Sequence, residues 1–290
     1  MSDLLRIQNL EKHYDDFDLE GISLSVPAGS VVGFIGSNGA GKTTTIKAIL
    51  GLIRPDGGSI SLFGEEVTGA PEKRLAQLKQ RIGVVFDENH FPEIFTPAEI
   101  GRFMAGIYSD WDAGAYRSRL TNFGLPEDKK TGEFSRGMKV KLAFAVALSH
   151  NAEFLVLDEA TSGLDPVVRD DILDALLEFV QDERHSVLVS SHITSDLEKI
   201  ADYIAFLHRG KLVFCLPKDE LADEYGVVHC GAADFERLEP EIVVAWRREE
   251  FQTRALVRNR VRAAELLPDA IVAPAELDEI MLFYAKGDFA

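Results

Sequence analysis

The run Gly36-Ser37-Asn38-Gly39-Ala40-Gly41-Lys42-Thr43 fits the pattern G-x-x-x-x-G-K-[ST]. Small residues let a backbone wrap a phosphate chain so that several N–H groups point inward. The helix that follows presents its positive end to the same charge. Lys42 supplies a cation for the terminal phosphates, and the Thr43 hydroxyl is a candidate Mg²⁺ ligand. Thr44, the next residue, is counted with the cradle. A buried-strand pattern, Val31 to Ile35, precedes the loop and a helical pattern through Ile46, Ile49 and Leu50 follows it. The loop implies a nucleoside triphosphate but does not choose among kinases, GTPases and transport ATPases.

Further residues could complete such a site. Phe154-Leu155-Val156-Leu157-Asp158-Glu159 is an apolar strand ending in two carboxylates. Asp158 can hold Mg²⁺ through water, and Glu159 can polarise the attacking water. Phe134-Ser135-Arg136-Gly137-Met138 opens a helix, with Ser135 as its N-cap. Ser190-Ser191-His192 ends the apolar run Val187 to Val189.

Taken in order, these segments resemble the ABC ATPase family, and the resemblance covers roughly residues 3–220. The family signature is LSGGQ. Ser135 and Gly137 match its serine and second glycine, while Phe134, Arg136 and Met138 depart from the commonest form. Ser162-Gly163-Leu164-Asp165 is similar to the family's D-loop, with Asp165 as its aspartate. His192 is similar to the switch histidine that senses the γ-phosphate. Tyr14 stands where the family places an aromatic against adenine. After the strand Ile82–Phe86 most members carry a glutamine that touches Mg²⁺; here Asp87 takes that position, or Glu88 if the register shifts by one. The resemblance implies ATP and Mg²⁺ as ligands and a head-to-tail dimer. In that dimer each ATP lies between one subunit's phosphate loop and the other's Ser135–Gly137 helix end. The segment Leu277 to Tyr284 is similar to the C-terminal end of bacterial exporter ATPases that work with type-2 permeases, antibiotic-peptide exporters among them.

The elements that must position these residues alternate strand and helix between residues 154 and 207, which predicts βαβ units and a mostly parallel sheet. The expected fold is α/β: a P-loop NTPase core, an antiparallel N-terminal β subdomain, a helical subdomain at about residues 90–150, and a small C-terminal α+β domain. The expected boundaries are 1–220 for the ATPase domain and 221–290 for the accessory domain, where Ile242 to Trp246 and Arg254 to Val257 read as a hairpin.

Hydrophobic residues at 46% and charged residues at 27% fit an ordinary globular chain. A net charge of −17 gives little counterion release on a phosphate backbone and argues against nucleic acid as the main partner. The two cysteines, Cys215 and Cys230, have neither CxxC spacing nor a histidine cluster, so neither zinc nor a disulfide framework is indicated. The longest apolar run, Leu142 to Leu148, falls well short of the ~18–20 residues that span a bilayer. The N-terminus lacks a signal-peptide pattern.

The expected partners are a transmembrane permease subunit and a second ATPase subunit, as homodimer or heterodimer. The expected place is cytoplasmic, at the inner face of the membrane through the permease. The alternative is a soluble ABC ATPase in cofactor assembly or regulation. A single cassette, with no heptad array between Lys42 and Ser135 and no zinc cysteines, counts against translation, chromosome-maintenance and repair types.

Overall fold

The chain opens with two strands that alternate apolar and polar residues, β1 (Asp3–Tyr14) and β2 (Phe17–Pro27), paired antiparallel. Leu5, Ile7 and Leu10 from one and Leu19, Ile22, Leu24 and Val26 from the other turn into a common core; register shifts on either side of the Leu10–Ile22 pair let three-residue spacings keep these side chains on one face. β3 (Val31–Ile35) follows, then α1 (Lys42–Ile49), β4 (Gly57–Leu62), β5 (Glu65–Glu66), α2 (Glu72–Lys79) and β6 (Ile82–Phe86). Three helices come next: α3 (Pro97–Met104), α4 (Ala113–Asn122) and α5 (Arg136–Ala147). The chain returns through β7 (Phe154–Asp158), α6 (Pro166–Phe179), β8 (Ser186–Ser190), α7 (Thr194–Ile200), β9 (Tyr203–His208) and β10 (Lys211–Pro217). The computed structural model describes residues 3–87 and 91–289.

These elements form an antiparallel sheet, β2-β1-β4-β5, and a six-stranded sheet, β10-β9-β3-β8-β7-β6. In the larger sheet β3 runs parallel to both β8 and β9, and β7 parallel to both β6 and β8. Every residue of β3, β7 and β8 is buried, as a parallel sheet covered on both faces demands. The phosphate loop, Glu159 and Ser191-His192 all leave the C-terminal ends of these strands, where open α/β sheets bind ligands. The helices α3–α5 enclose their own core around Ile100, Tyr116, Leu120 and Leu142.

Two units divide the chain, Met1–Cys215 and Leu216–Ala290. The division lies a few residues before the expected one, because α8 (Lys218–Glu224) packs with the strand it precedes, β11 (Tyr225–Cys230). The second unit continues with α9 (Ala232–Phe235), β12 (Val243–Arg248), β13 (Thr253–Arg258), α10 (Arg260–Leu266), β14 (Ile271–Pro274), α11 (Leu277–Lys286) and β15 (Asp288–Phe289). Its sheet order is β14-β11-β13-β12-β15, and the pairs among its first four strands are antiparallel. The order of elements from β11 to β14 is βαββαβ with strands ranked fourth, first, third, second, the split βαβ arrangement of ferredoxin-like units.

One buried group makes folding depend on pH. His150, just after α5, is 1% exposed, stacks on Tyr108 at 3.9 Å, and has no hydrogen-bond partner on either ring nitrogen among the described residues. Burial pushes its pKa from 6.5 down to about 4, against a smaller upward pull from Asp110. The unfolded chain therefore binds this proton first. Stability is full above pH ~6.5 and falls as pH drops toward 4, by up to about 3 kcal/mol from this group. His150→Phe keeps the stack and should remove that component. Urea midpoints measured from pH 7 to 4 should fall less steeply in the variant; parallel curves would show that the proton goes elsewhere.

Candidate functional site

The loop between β3 and α1 is glycine-bearing because of what surrounds it. At Gly36 (φ 156°) a Cβ would come within 2.3 Å of the Leu207 carbonyl oxygen. At Gly41 (φ 111°) it would strike Leu19 Cδ2 at 2.5 Å and Phe17 Cζ at 2.8 Å. Gly41 caps α1 without a side-chain hydrogen bond, so the first-turn N–H groups of Lys42, Thr43 and Thr44 are left to the loop's concave face. Ser37, Asn38 and Gly39 are exposed, while Ala40 is buried and turns back by donating its N–H to the Ser37 carbonyl.

Lys42 is buried at 6% exposure. Its Nζ donates to the Gly36 carbonyl at 2.7 Å and lies 3.3 Å from Glu159 Oε1. The other Glu159 oxygen, Oε2, lies 2.5 Å from His192 Nδ1. Both carboxylate oxygens are thus held, one by a cation from α1 and one by an imidazole from the end of β8. Glu159 has φ 53°, a left-handed conformation that costs a non-glycine residue about 1–2 kcal/mol. Its N–H donates to the Ser190 carbonyl, which fixes this turn at the end of β7. Strain maintained by surrounding contacts is characteristic of working sites.

Asp158 ends β7 at 6% exposure, and its Oδ1 accepts a hydrogen bond from Ser190 Oγ at 3.0 Å. Its second oxygen has no described hydrogen bond, and Thr43 exposes its hydroxyl on the first turn of α1. Among the described residues no group of three or more His, Cys, Asp and Glu side chains is gathered as a metal would require. The two oxygen donors Asp158 and Thr43 suit the chemistry of Mg²⁺ on a triphosphate, which takes one or two protein ligands and draws the rest from phosphate and water.

Tyr14 ends β1, is 47% exposed, and has Lys12 Nζ 5.5 Å from its ring centre. Its strand partner Phe17 is the residue pressed against Gly41, so the hairpin end borders the phosphate loop. Ser135 and Gly137 belong to another neighbourhood. Ser135 Oγ accepts from the Met138 N–H at 3.3 Å, and Gly137 lies close to Val168. No described hydrogen bond or ion pair joins either of them to loop 36–43. Asp165 caps α6, accepting from the N–H groups of Val167 and Val168. Asp87 forms an ion pair with Arg136 at the start of α5. Glu88 lies outside the described residues.

Sequence reasoning missed the supporting partners. Ser190 was read only as part of a motif, yet its hydroxyl holds Asp158. Asp196 on α7, 4% exposed, accepts from Thr161 Oγ1 at 3.1 Å and faces Arg169 at 3.8 Å. Desolvation raises its pKa, against the opposing pull of Arg169. This pairing ties the turn after Glu159 to the helix after His192. The available signal was faint: Asp196 shares the buried face of α7 with Leu197 and Ile200 in an otherwise polar helix.

Comparison with known proteins gives the family of this chain. Residues 19–162 match the family model described as ABC transporter. The bacitracin transport ATP-binding protein BcrA of Bacillus licheniformis is 35% identical over 224 residues, 76% of this chain and 72% of its own length. The Nod factor export ATP-binding protein I of Burkholderia orbicola is 37% identical over 213 residues, 71% of this chain and 68% of its own. A solved structure, the ATP-binding subunit of an ABC transporter, superposes with a TM-score of 0.66 at 28% identity, covering 75% of this chain and 91% of that one. Likeness of this extent, on a chain whose phosphate loop and carboxylates are arranged as described, places the protein in the ABC transporter family as an ATP-binding, ATP-hydrolysing subunit.

Proposed function

We propose that this ATPase drives export through a separate transmembrane permease, and that it does so by dimerising head to tail on ATP. The observation that carries the catalytic part is the placing of Glu159, held between Lys42 and His192 at the end of β7. Lys42, with the N–H groups of Gly39 and of Gly41 to Thr44, takes the phosphate charge. Glu159 accepts the proton of the attacking water, and His192 holds Glu159 in line; water adds to the γ-phosphorus as the bond to ADP breaks. Thr43 and Asp158 are the residues that would hold Mg²⁺, whose charge offsets that of the phosphates. Tyr14 borders the base. Asp165 orients the turn beside the dimer face.

ABC ATPase subunits of transporters work with a membrane component, and no helix among the described residues is long and apolar enough to cross a membrane. Export is the direction in the name of the Nod factor relative, and bacitracin transport in that of the other. Similarity to these proteins supports the exporter reading and a position at the inner membrane face, reached through the permease. Because every nucleotide motif is present in this one chain, a homodimer is sufficient. The unit Leu216–Ala290 contains none of the residues named here and is assigned an accessory role.

The test of the exporter reading is ATP turnover with the permease in lipid vesicles, against turnover with DNA or ribosomes. Stimulation by either of the latter, and none by permease, would overturn it. The dimer is tested at Ser135. Ser135→Arg should leave one subunit's own phosphate loop intact yet abolish ATP-driven dimerisation, because an arginine there fills the space a second subunit's ATP needs. Size-exclusion chromatography with ATP on a Glu159→Gln background reads this; a normal dimer peak would reduce Ser135 to a helix cap.

A further inference from the structure

Arg136 stands where the family signature has its first glycine, and Asp87, in one of the two registers, where most members have glutamine. In the folded chain these two departures meet. The Arg136 guanidinium pairs with the Asp87 carboxylate through Nη2. Its other terminal nitrogen lies over Gly163, where an added Cβ would come within 2.9 Å of Nη1. Gly163 has φ 65° and belongs to the turn that leads from Glu159 to Asp165. One side chain thus touches the residue after β6, the start of α5 and the turn after β7.

The packing gives this contact a mechanical meaning. α5 lies along β6 and is attached at both ends. At its C-terminal end the Ala147 carbonyl would be 2.8 Å from a Cβ on Gly83, so only glycine allows that approach. At its N-terminal end the attachment is Arg136 to Asp87. In β6 the preceding residue, Phe86, is the strand partner of Asp158. The chain therefore runs, over three neighbouring residues, from the carboxylate assigned to Mg²⁺ to the cap of the helix assigned to the second subunit's ATP.

We propose that Asp87 and Arg136 act as a positioning pair, which sets the start of α5, and with it Ser135, against the strand ends that hold nucleotide in the same subunit. The inference rests on the reading of Ser135 as the residue that meets ATP across the dimer. An arginine is needed because its planar fork reaches Asp87 with one nitrogen while another lies over Gly163; an ammonium makes one of these contacts at a time. The pair is half-exposed, with side-chain exposures of 51% and 46%. Pairs so exposed contribute little to folding, so their loss is expected in the coupling between subunits.

The test is a double-mutant cycle on the Glu159→Gln background. The readout is the ATP concentration that gives half-maximal dimer. Binding of labelled ATP and its Mg²⁺ requirement are measured on the same samples. Asp87→Asn and Arg136→Gln should each raise the dimerisation concentration about fivefold, and the double variant should also stay near fivefold, because both remove one interaction. Arg136→Lys, which keeps a charge for Asp87 but not the second contact over Gly163, should fall between the parent and Arg136→Gln. Effects that multiply to about 25-fold in the double variant would mean that the residues act separately. A rise with Arg136→Gln and none with Asp87→Asn would give Arg136 a role of its own. A changed Mg²⁺ requirement in Asp87→Asn alone would assign the carboxylate to the metal. No change in any variant would leave the pair without a role. If the Glu159→Gln parent fails to dimerise on ATP, the dimer reading itself falls, and this is seen before any pair variant is made.

Discussion

Glu159→Gln should bind ATP, release phosphate about 10²–10⁴ times more slowly than the parent, and accumulate as an ATP-bound dimer. Glutamine fills the same volume and can adopt the same left-handed backbone at φ 53° at the same cost as glutamate. The replacement removes a proton acceptor and leaves the turn in place. The amide keeps one oxygen acceptor for Lys42 Nζ, now 3.3 Å from Glu159 Oε1, but its nitrogen cannot accept from His192 Nδ1 as Oε2 can. His192→Ala should then cost less than Glu159→Gln, since it loosens the base without deleting it. Single-turnover phosphate release measures both. Release at the parent's rate by Glu159→Gln would remove Glu159 from the reaction. A larger loss in His192→Ala than in Glu159→Gln would move the base to the histidine.

The parts of this site that sequence reasoning found are those fixed by neighbours in the chain. Gly36 and Gly41 stand where the backbone takes φ 156° and 111° and where a Cβ has no room, so residue type alone marked the loop. β7 was legible because a parallel strand buried on both faces must be apolar throughout, and Asp158 and Glu159 break that run where it emerges. Contacts made across the fold left no such trace. Ser190 and Asp158 are 32 positions apart, and Asp87 and Arg136 are 49 apart. Nothing in the residue types of either pair names its partner. In the C-terminal unit the β12–β13 hairpin was readable from period and turn. β11 was not, because its buried run Tyr225–Cys230 has no alternation and a short acidic helix leads into it. Missing that strand hid the split βαβ order, since β11 pairs with both β13 and β14.

Lys42→Ala should lower ATP affinity by on the order of 10²-fold or more, because a charge-assisted hydrogen bond contributes about 1.5–3 kcal/mol and this ammonium makes more than one. The structure adds a reason beyond the lost phosphate contact. Lys42 Nζ lies 3.3 Å from Glu159 and offsets its charge, so alanine leaves the Glu159 carboxylate facing the triphosphate with one cation fewer between them. The same substitution strips the Gly36 carbonyl of the donor now 2.7 Å away, at a cost of about 1–3 kcal/mol if that oxygen stays dry. Folding and binding must therefore be measured apart. Thermal unfolding without nucleotide should show the folding loss. Adding ATP in large excess should raise the parent's midpoint by mass action and the variant's by less, a 10²-fold loss of affinity removing about 2.7 kcal/mol of that stabilisation. Lys42→Arg keeps the charge but not the compact ammonium that fits beneath Gly36, and should recover only part of the affinity. An ATP-dependent rise in Lys42→Ala equal to the parent's would show that nucleotide binds elsewhere. The geometry of loop 36–43 would then be a tight strand-to-helix turn whose Gly36 and Gly41 answer to Leu207, Leu19 and Phe17.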